Sequence, residues 1–199
     1  MEPNGVKDTG TVPEAAGEKA LMFEQIQTER LLIRAAEEAD AEALQSIQNT
    51  DFVLRYNGME RWTLEQTRSF LEKKRGRALV ICDRGGCVIG EIGIEEDSLR
   101  YDVGSAELNY YISEEFAGQG LMREALDAVL GFLFDACGVT LVTARSFVPN
   151  TASRRLLEKL GFRLEGVLRR CVRGYGGVVF DDALYSITKE EFEANHGRA

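Results

Sequence analysis

Two glycines separated by one residue carry the first chemical signal in this chain of 199 residues. In Phe116-Ala-Gly-Gln-Gly-Leu-Met-Arg-Glu-Ala-Leu126, Gly118 and Gly120 follow a strand-like run, Glu107-Leu-Asn-Tyr-Tyr-Ile112, and precede an amphipathic one. Glycines at such a junction let the backbone bend until successive N–H groups point into one hollow. The helix behind them adds unpaired N–H donors and the positive end of its dipole. That combination suits a pyrophosphate, against the plainer reading of a turn that only packs. The single histidine, His196, lies in the tail, which argues against a histidine-based triad or the usual zinc sites. Acid–base work therefore falls to carboxylates, tyrosine, serine, cysteine or water.

The elements that must position these groups can be read from periodicity and caps. Residues 1–24 are polar, Gly/Pro/Glu-rich and aperiodic, and read as a mobile extension ahead of one domain over residues 25–199. Thr28 to Arg34 reads as a first strand, and Ala39 to Gln48 carries helical spacing. Thr63-Leu-Glu-Gln66 forms a capping box that opens a second helix through about Lys74. Ala78 to Asp83 and Cys87 to Glu95 form a hairpin around Arg84-Gly85-Gly86, and Ala106 to Ile112 a further strand. A helix from about Gln119 to Cys137 follows the glycine loop, then a β-branched strand, Val139 to Arg145. Asn150 caps a short helix that ends at Gly161. Arg163 to Arg173 and Val178 to Thr188 read as two last strands. The order β, α, α, β, β, β, α, β, α, β, β predicts an α/β fold, a mixed sheet with helices on both faces.

Composition bounds the partners. Hydrophobic residues at 44% and charged residues at 29% are ordinary for a globular protein. No apolar run approaches the roughly 20 residues that span a bilayer, so no membrane partner is expected. The N-terminal run has neither the apolar core nor the basic start of a signal peptide. Cys82, Cys87, Cys137 and Cys171 show no framework spacing, which fits a reducing cytoplasm. Cys82 and Cys87 flank the hairpin turn and read as ordinary strand residues, against the alternative of a pair that meets across it. A net charge of −9 argues against general nucleic-acid binding and is compatible with cationic partners.

Glu107-Leu-Asn-Tyr-Tyr-Ile112, Ala117-Gly-Gln-Gly-Leu-Met122 and Asn150-Thr-Ala-Ser-Arg-Arg-Leu-Leu-Glu-Lys-Leu-Gly-Phe162 together resemble the GNAT superfamily of acetyl-CoA-dependent N-acetyltransferases. Thr28-Glu-Arg-Leu and Gly177-Val-Val-Phe-Asp181 with Leu184-Tyr185-Ser186 make the chain most similar to the branch of ribosomal-protein N-terminal acetyltransferases. The resemblance runs from about residue 26 to 188 in the family's order. It departs at Ala117 and Met122, where other residues are common, and at Phe180, where the branch often has histidine.

The resemblance implies a mostly antiparallel central sheet of about seven strands, helices on both faces and a splayed groove for the cofactor. It makes the pyrophosphate that of acetyl-CoA, as co-substrate and without a metal. Ala117, Gly118, Gln119, Gly120, Leu121 and Met122 would supply the cradle through their amides, and Arg123 either adds charge to the phosphates or is a solvated helix residue. Tyr110, Tyr111 and Ile112 would lie along the pantetheine arm, and a backbone N–H among them would face the thioester oxygen. Two roles stand open for Asn150, a plain helix cap and a contact to that arm. Ser153 is the first candidate to protonate the departing thiolate, against a plain surface serine. Glu107 is the favoured general base, against a structural acceptor, with Asp181 and Asp182 as the other acidic candidates and Tyr185 as a weaker acid, read first as a core-packing residue. Tyr56 and Trp62 either line an entrance or bridge a loop to the core, and Arg169, Arg170 and Arg173 read as a solvated edge, with contact to the acidic cofactor as the alternative. The expected acceptor is a primary amine, preferably a protein N-terminus. The alternatives are a small amine or a catalytically silent acyl-CoA sensor, in a monomer or homodimer.

Overall fold

A single sheet of eight strands runs through the computed structural model, which describes Phe23 and residues 25–197. In chain order the elements are β1 (Ile26–Gln27), β2 (Leu31–Ala35), α1 (Ala41–Gln48), α2 (Asp51–Leu54), α3 (Leu64–Lys73), β3 (Ala78–Asp83), β4 (Val88–Glu96), β5 (Ser105–Ile112), α4 (Leu121–Ala136), β6 (Leu141–Phe147), α5 (Thr151–Lys159), β7 (Arg163–Arg173), β8 (Val179–Thr188) and α6 (Lys189–Asn195). The strand order is β1-β2-β3-β4-β5-β6-β8-β7, and every pair is antiparallel except β5 with β6. The α/β architecture and mostly antiparallel sheet are those expected. The count exceeds the expected seven by β1, which is two residues long and too short to show alternation.

Local chemistry explains most boundaries. The Thr63 hydroxyl accepts from Gln66 N–H and the Gln66 side chain accepts from Thr63 N–H, a complete capping box that starts α3. A second box, between Thr188 and Glu191, starts α6, and the Thr50 side chain caps the single turn of α2. The four cysteines are free thiols, Cys82 buried in β3 and Cys87 exposed in the turn. The expected extension at residues 1–24 lies outside the described residues except for Phe23, whose buried ring meets Phe132 edge-on at 4.7 Å.

The sheet separates two unequal layers. On one face β2–β6 and β8 pack against α4, α5 and α6 through Leu126, Leu130, Leu133, Phe134, Leu157 and Phe192. On the other, α1 and α3 cover only the β2–β4 side, with Ala41, Leu44 and Leu71 on Ala78, Val80 and Cys82. That face is open further along: Asn109, in the middle of β5, is exposed. At the far edge β7 is exposed along nearly its whole length, and its pairing with β8 shifts register at Leu164/Gly166 and again at Leu168/Val172.

β5 is pressed hard against β4. A Cβ on Gly90 would stand 2.5 Å from the Tyr111 carbonyl oxygen and 3.1 Å from the Ile112 Cα, both backbone atoms that cannot step aside. Gly90→Ala is therefore expected to lower unfolding stability by about 1–3 kcal/mol through overpacking. Gly166→Ala, whose Cβ meets nothing within 4 Å, should not. Urea denaturation of both variants checks the contrast; equal effects would refute it.

Candidate active site

β5 and β6 run in register from Ser105↔Leu141 to Leu108↔Ala144, and the ladder stops there. β5 continues to Ile112, paired with β4, and β6 continues to Phe147, paired with β8. The Ser113 N–H donates to the Ile89 carbonyl at 2.8 Å, so by antiparallel alternation Tyr111, Asn109 and Glu107 also direct their backbone groups to β4. The N–H and C=O groups of Tyr110 and Ile112 therefore point toward β6, beyond the end of the ladder. An extended ligand arm can pair with them as an added strand does.

The glycine loop sits at the C-terminal end of β5. Gly118 (φ +74°) and Gly120 (φ +78°) both adopt the left-handed conformation, and α4 begins only at Leu121 because Gly120 occupies its cap. No side chain caps α4. None of the backbone N–H groups from Gly118 to Arg123 has an acceptor among the described residues. A Cβ on Gly118 would meet nothing within 4 Å. These open donors at a positive helix end fit a diphosphate. Leu121 and Met122 are buried in the core, so only their amides face the hollow, and Arg123 is exposed.

The two tyrosines of β5 point to opposite faces, as strand alternation requires. The Tyr110 hydroxyl shares a 2.8 Å hydrogen bond with the Ser153 hydroxyl on α5. Burial, only partly offset by that bond, pushes the phenol up to about 12. Asn150 is a true cap: its side-chain oxygen accepts from Ser153 N–H at 3.2 Å. On the other face the Tyr111 hydroxyl donates to Glu91 Oε2 at 2.5 Å. Burial raises the Glu91 carboxyl to about 7, against the lowering effect of that bond and with Glu95 adding repulsion.

Glu107 lies on this second face, half-buried. Burial raises its pKa, and the nearby Arg145 guanidinium works against the rise. Arg145 Nε pairs with Asp182 Oδ2 at 2.7 Å, while Asp182 Oδ1 is buried with no hydrogen-bond partner. Burial nevertheless lifts the Asp182 carboxyl above its ordinary value. Glu107 and Asp182 are thus brought together around one arginine. Asp181 turns away and accepts from Arg170 N–H at 2.7 Å. Tyr185 is fully buried, its hydroxyl donating to Glu158 and accepting from Arg154 Nε at 3.0 Å.

An aromatic wall closes one side. Phe180 stacks on Phe147 with ring centroids 4.7 Å apart, and Tyr56 meets Phe180 edge-on at 6.4 Å. Trp62 bridges its loop to the core, its ring against Phe70 at 5.2 Å and its carbonyl accepting from Gln45 and Asn49. Arg169 and Arg170 are exposed, and Arg173 bonds the Gly177 carbonyl at 3.2 Å. Sequence reasoning missed Arg145, Glu91 and the pairing of Arg30 with Glu124; each meets its partner across the sheet or across the chain, where no local spacing signals it. Among the described residues no group of three or more His, Cys, Asp or Glu is placed to hold a metal ion. No described helix is long and apolar enough to cross a membrane.

Residues 30–163 match the acetyltransferase (GNAT) domain family. The uncharacterized N-acetyltransferase YoaA of Bacillus subtilis (strain 168) is 35% identical over 177 residues, covering 84% of this chain and 98% of that protein. A GNAT-family acetyltransferase structure from Bacillus anthracis superposes with a TM-score of 0.75 at 28% identity, covering 84% of this chain and 99% of its own. The structure of Mycobacterium smegmatis RimJ in complex with CoA-disulfide superposes with a TM-score of 0.71 at 25% identity, covering 84% and 90%.

The raised Glu91 carboxyl has a consequence for stability. Unfolded, it ionises near its ordinary 4.5; folded, near 7. Between those values the folded state keeps a proton that the unfolded state has lost, so this group's contribution is most favourable below the lower value and declines as pH rises to the upper. Glu91→Gln removes the decline, so the variant should gain on the wild type by about 2–3 kcal/mol on going from pH 4.5 to pH 8. Urea denaturation at both pH values checks this; parallel pH dependence in the two proteins would refute it.

Proposed function

The chain belongs to the GNAT family of acetyltransferases and is an N-acetyltransferase; from that premise we propose that it acetylates a primary amine by direct attack in a ternary complex, with a protein N-terminal amine, such as that of a ribosomal protein, as preferred acceptor. The observation that carries this reading is the juxtaposition of two unpaired sets of backbone donors: the β5 edge beyond Leu108, and the loop and helix start from Gly118 to Arg123. One set suits an extended amide-containing arm and the other a diphosphate. The similarity to a RimJ structure with bound CoA-disulfide supports the same assignment.

When bound, acetyl-CoA supplies an activated acyl carbon, to which the acceptor nitrogen bonds as the carbon–sulfur bond breaks. The cradle amides hold the diphosphate, and Tyr110 and Ile112 hold the arm through their main chain. A Tyr110 or Ile112 N–H directed into the gap steadies negative charge on the acyl oxygen, an effect that supplies a few kcal/mol (roughly 3) in such sites. Glu107, raised by burial, takes the proton that the ammonium must lose before attack, directly or through water. The Ser153 hydroxyl, backed by Tyr110, donates to the thiolate as it leaves. The carboxylates around Arg145 favour a cationic acceptor over a neutral one. Such chemistry belongs to the cytoplasm, where acetyl-CoA and new N-termini coexist.

Incubation with acetyl-CoA and a panel of N-terminal peptides, amino acids and polyamines, followed by mass spectrometry, tests the reading. Acetylation of peptides at the α-amine is expected, and transfer confined to small amines would move the acceptor to that class. CoA binding with no turnover of any amine would instead make the chain an acyl-CoA sensor. Glu107→Gln should reduce turnover at least tenfold with CoA affinity unchanged, by about 1.4 kcal/mol or more in the barrier; full activity in that variant would sink the base assignment.

A further inference from the structure

The turn between β1 and β2 reaches across the molecule and grips the glycine loop. Arg30 Nη1 donates to the Gln119 carbonyl at 3.0 Å, and Arg30 Nε pairs with Glu124 Oε2 at 2.6 Å. The Arg30 backbone N–H and the Thr28 hydroxyl both donate to Glu124 Oε1, at 2.8 and 2.6 Å. The turn is itself braced from the β3–β4 turn, where Arg84 Nε donates to the Glu29 carbonyl at 2.8 Å. Seven hydrogen bonds, two more from Arg84 Nη2 to the Thr28 and Glu29 carbonyls among them, thus link three segments that are far apart in sequence.

The bond to Gln119 fixes the orientation of one peptide plane. All described peptides are trans, so the Gln119 carbonyl and the Gly120 N–H point in opposite directions. With the carbonyl held outward on Arg30, the Gly120 N–H faces the other way, among the open donors of the cradle. Gly120 has no Cβ to resist rotation of the 119–120 peptide. Reversed, it would present a carbonyl oxygen where a phosphate must sit. Arg30 also meets the second electrostatic problem of this site, a carboxylate in the first turn of α4. Burial pushes the Glu124 carboxyl up, but the Thr28 hydroxyl and the Arg30 amide and guanidinium hold it below its ordinary range, so it is ionised. Left unpaired it would repel a diphosphate bound at the same helix end.

We propose that Arg30 is a positioning residue for the donor substrate: it latches the Gln119–Gly120 peptide in the donor-out orientation and neutralises Glu124, so that the loop is set for a diphosphate before one arrives. This rests on the reading above that the loop holds the diphosphate of acetyl-CoA. Because the latch acts on that part of the donor alone, its loss should affect binding of the nucleotide diphosphate and leave the acyl-transfer chemistry intact.

The test compares wild type, Arg30→Ala and the milder Arg30→Lys, each checked by thermal melting. Calorimetry measures CoA affinity. Kinetics use two donors, acetyl-CoA and acetylpantetheine, which keeps the thioester arm and lacks the diphosphate. Arg30→Ala should raise the Kd for CoA and the KM for acetyl-CoA about tenfold, in line with one charge-assisted hydrogen bond, with kcat within about twofold. Its kcat/KM for acetylpantetheine should match the wild type, and Arg30→Lys should fall between the two. Unchanged CoA affinity in Arg30→Ala overturns the proposal. So does an equal loss with both donors, which would mark Arg30 as a general structural support. A wild type that binds no CoA is a different outcome, since it removes the functional reading and the latch with it.

Discussion

The end of the β5–β6 ladder at Leu108 is the constraint on which the structure turns. Two neighbouring strands in the middle of a sheet normally satisfy each other, and unpaired backbone groups there are costly. This chain keeps the gap open by fixing β5 from other directions. β4 pairs with it along its length, at a distance that only glycine at position 90 allows. Tyr110 is tied to α5 through Ser153 and Tyr111 to β4 through Glu91, so the strand end is pinned on both faces. The groups left unpaired by the separation are the ones a ligand arm would use.

The two faces of that strand have different electrostatic character. The α4–α5 side is mainly apolar and carries the Tyr110–Ser153 pair and the bonds of Tyr185 to Arg154 and Glu158. The other side carries Glu91, Glu107 and Asp182, all raised by burial, with Arg145 as the counter-ion of Glu107 and Asp182. For the proposed reaction, a groove between such faces would separate what each partner needs: mainly apolar surroundings with aligned dipoles for the donor, and proton acceptors for the amine.

Legibility in the sequence followed the range of the interaction. Thr63-Leu-Glu-Gln66 and Gly85-Gly86 place a helix start and a hairpin correctly because caps and turns involve residues a few positions apart. The one-turn α2 and two-residue β1 are too short for any period to register. α6 was not read from the sequence: Thr188 and Glu191 form the same kind of box, but the apolar run of β8 leads straight into it and hides the boundary. The glycine loop could be read as an anion cradle from its own residues. The identity of the anion came from resemblance, and the separation of β5 from β6 is a tertiary fact that spacing does not encode. Arg30 and Glu124 lie 94 residues apart, and nothing near either one announces the other.

The sheet ends differently on its two sides. On one, β1 offers only two residues of backbone. On the other, β7 is long and exposes Leu164, Val167 and Leu168, the composition of a strand that would zip onto a neighbouring molecule. Its two interruptions of register, one on either side of Val167 and Leu168, bend the strand and break the even row of donors and acceptors that such zipping needs. Both interruptions thus work against edge-to-edge pairing despite the greasy side chains on that open border. Straightening that border, rather than making it more hydrophobic, is the change that would endanger solubility.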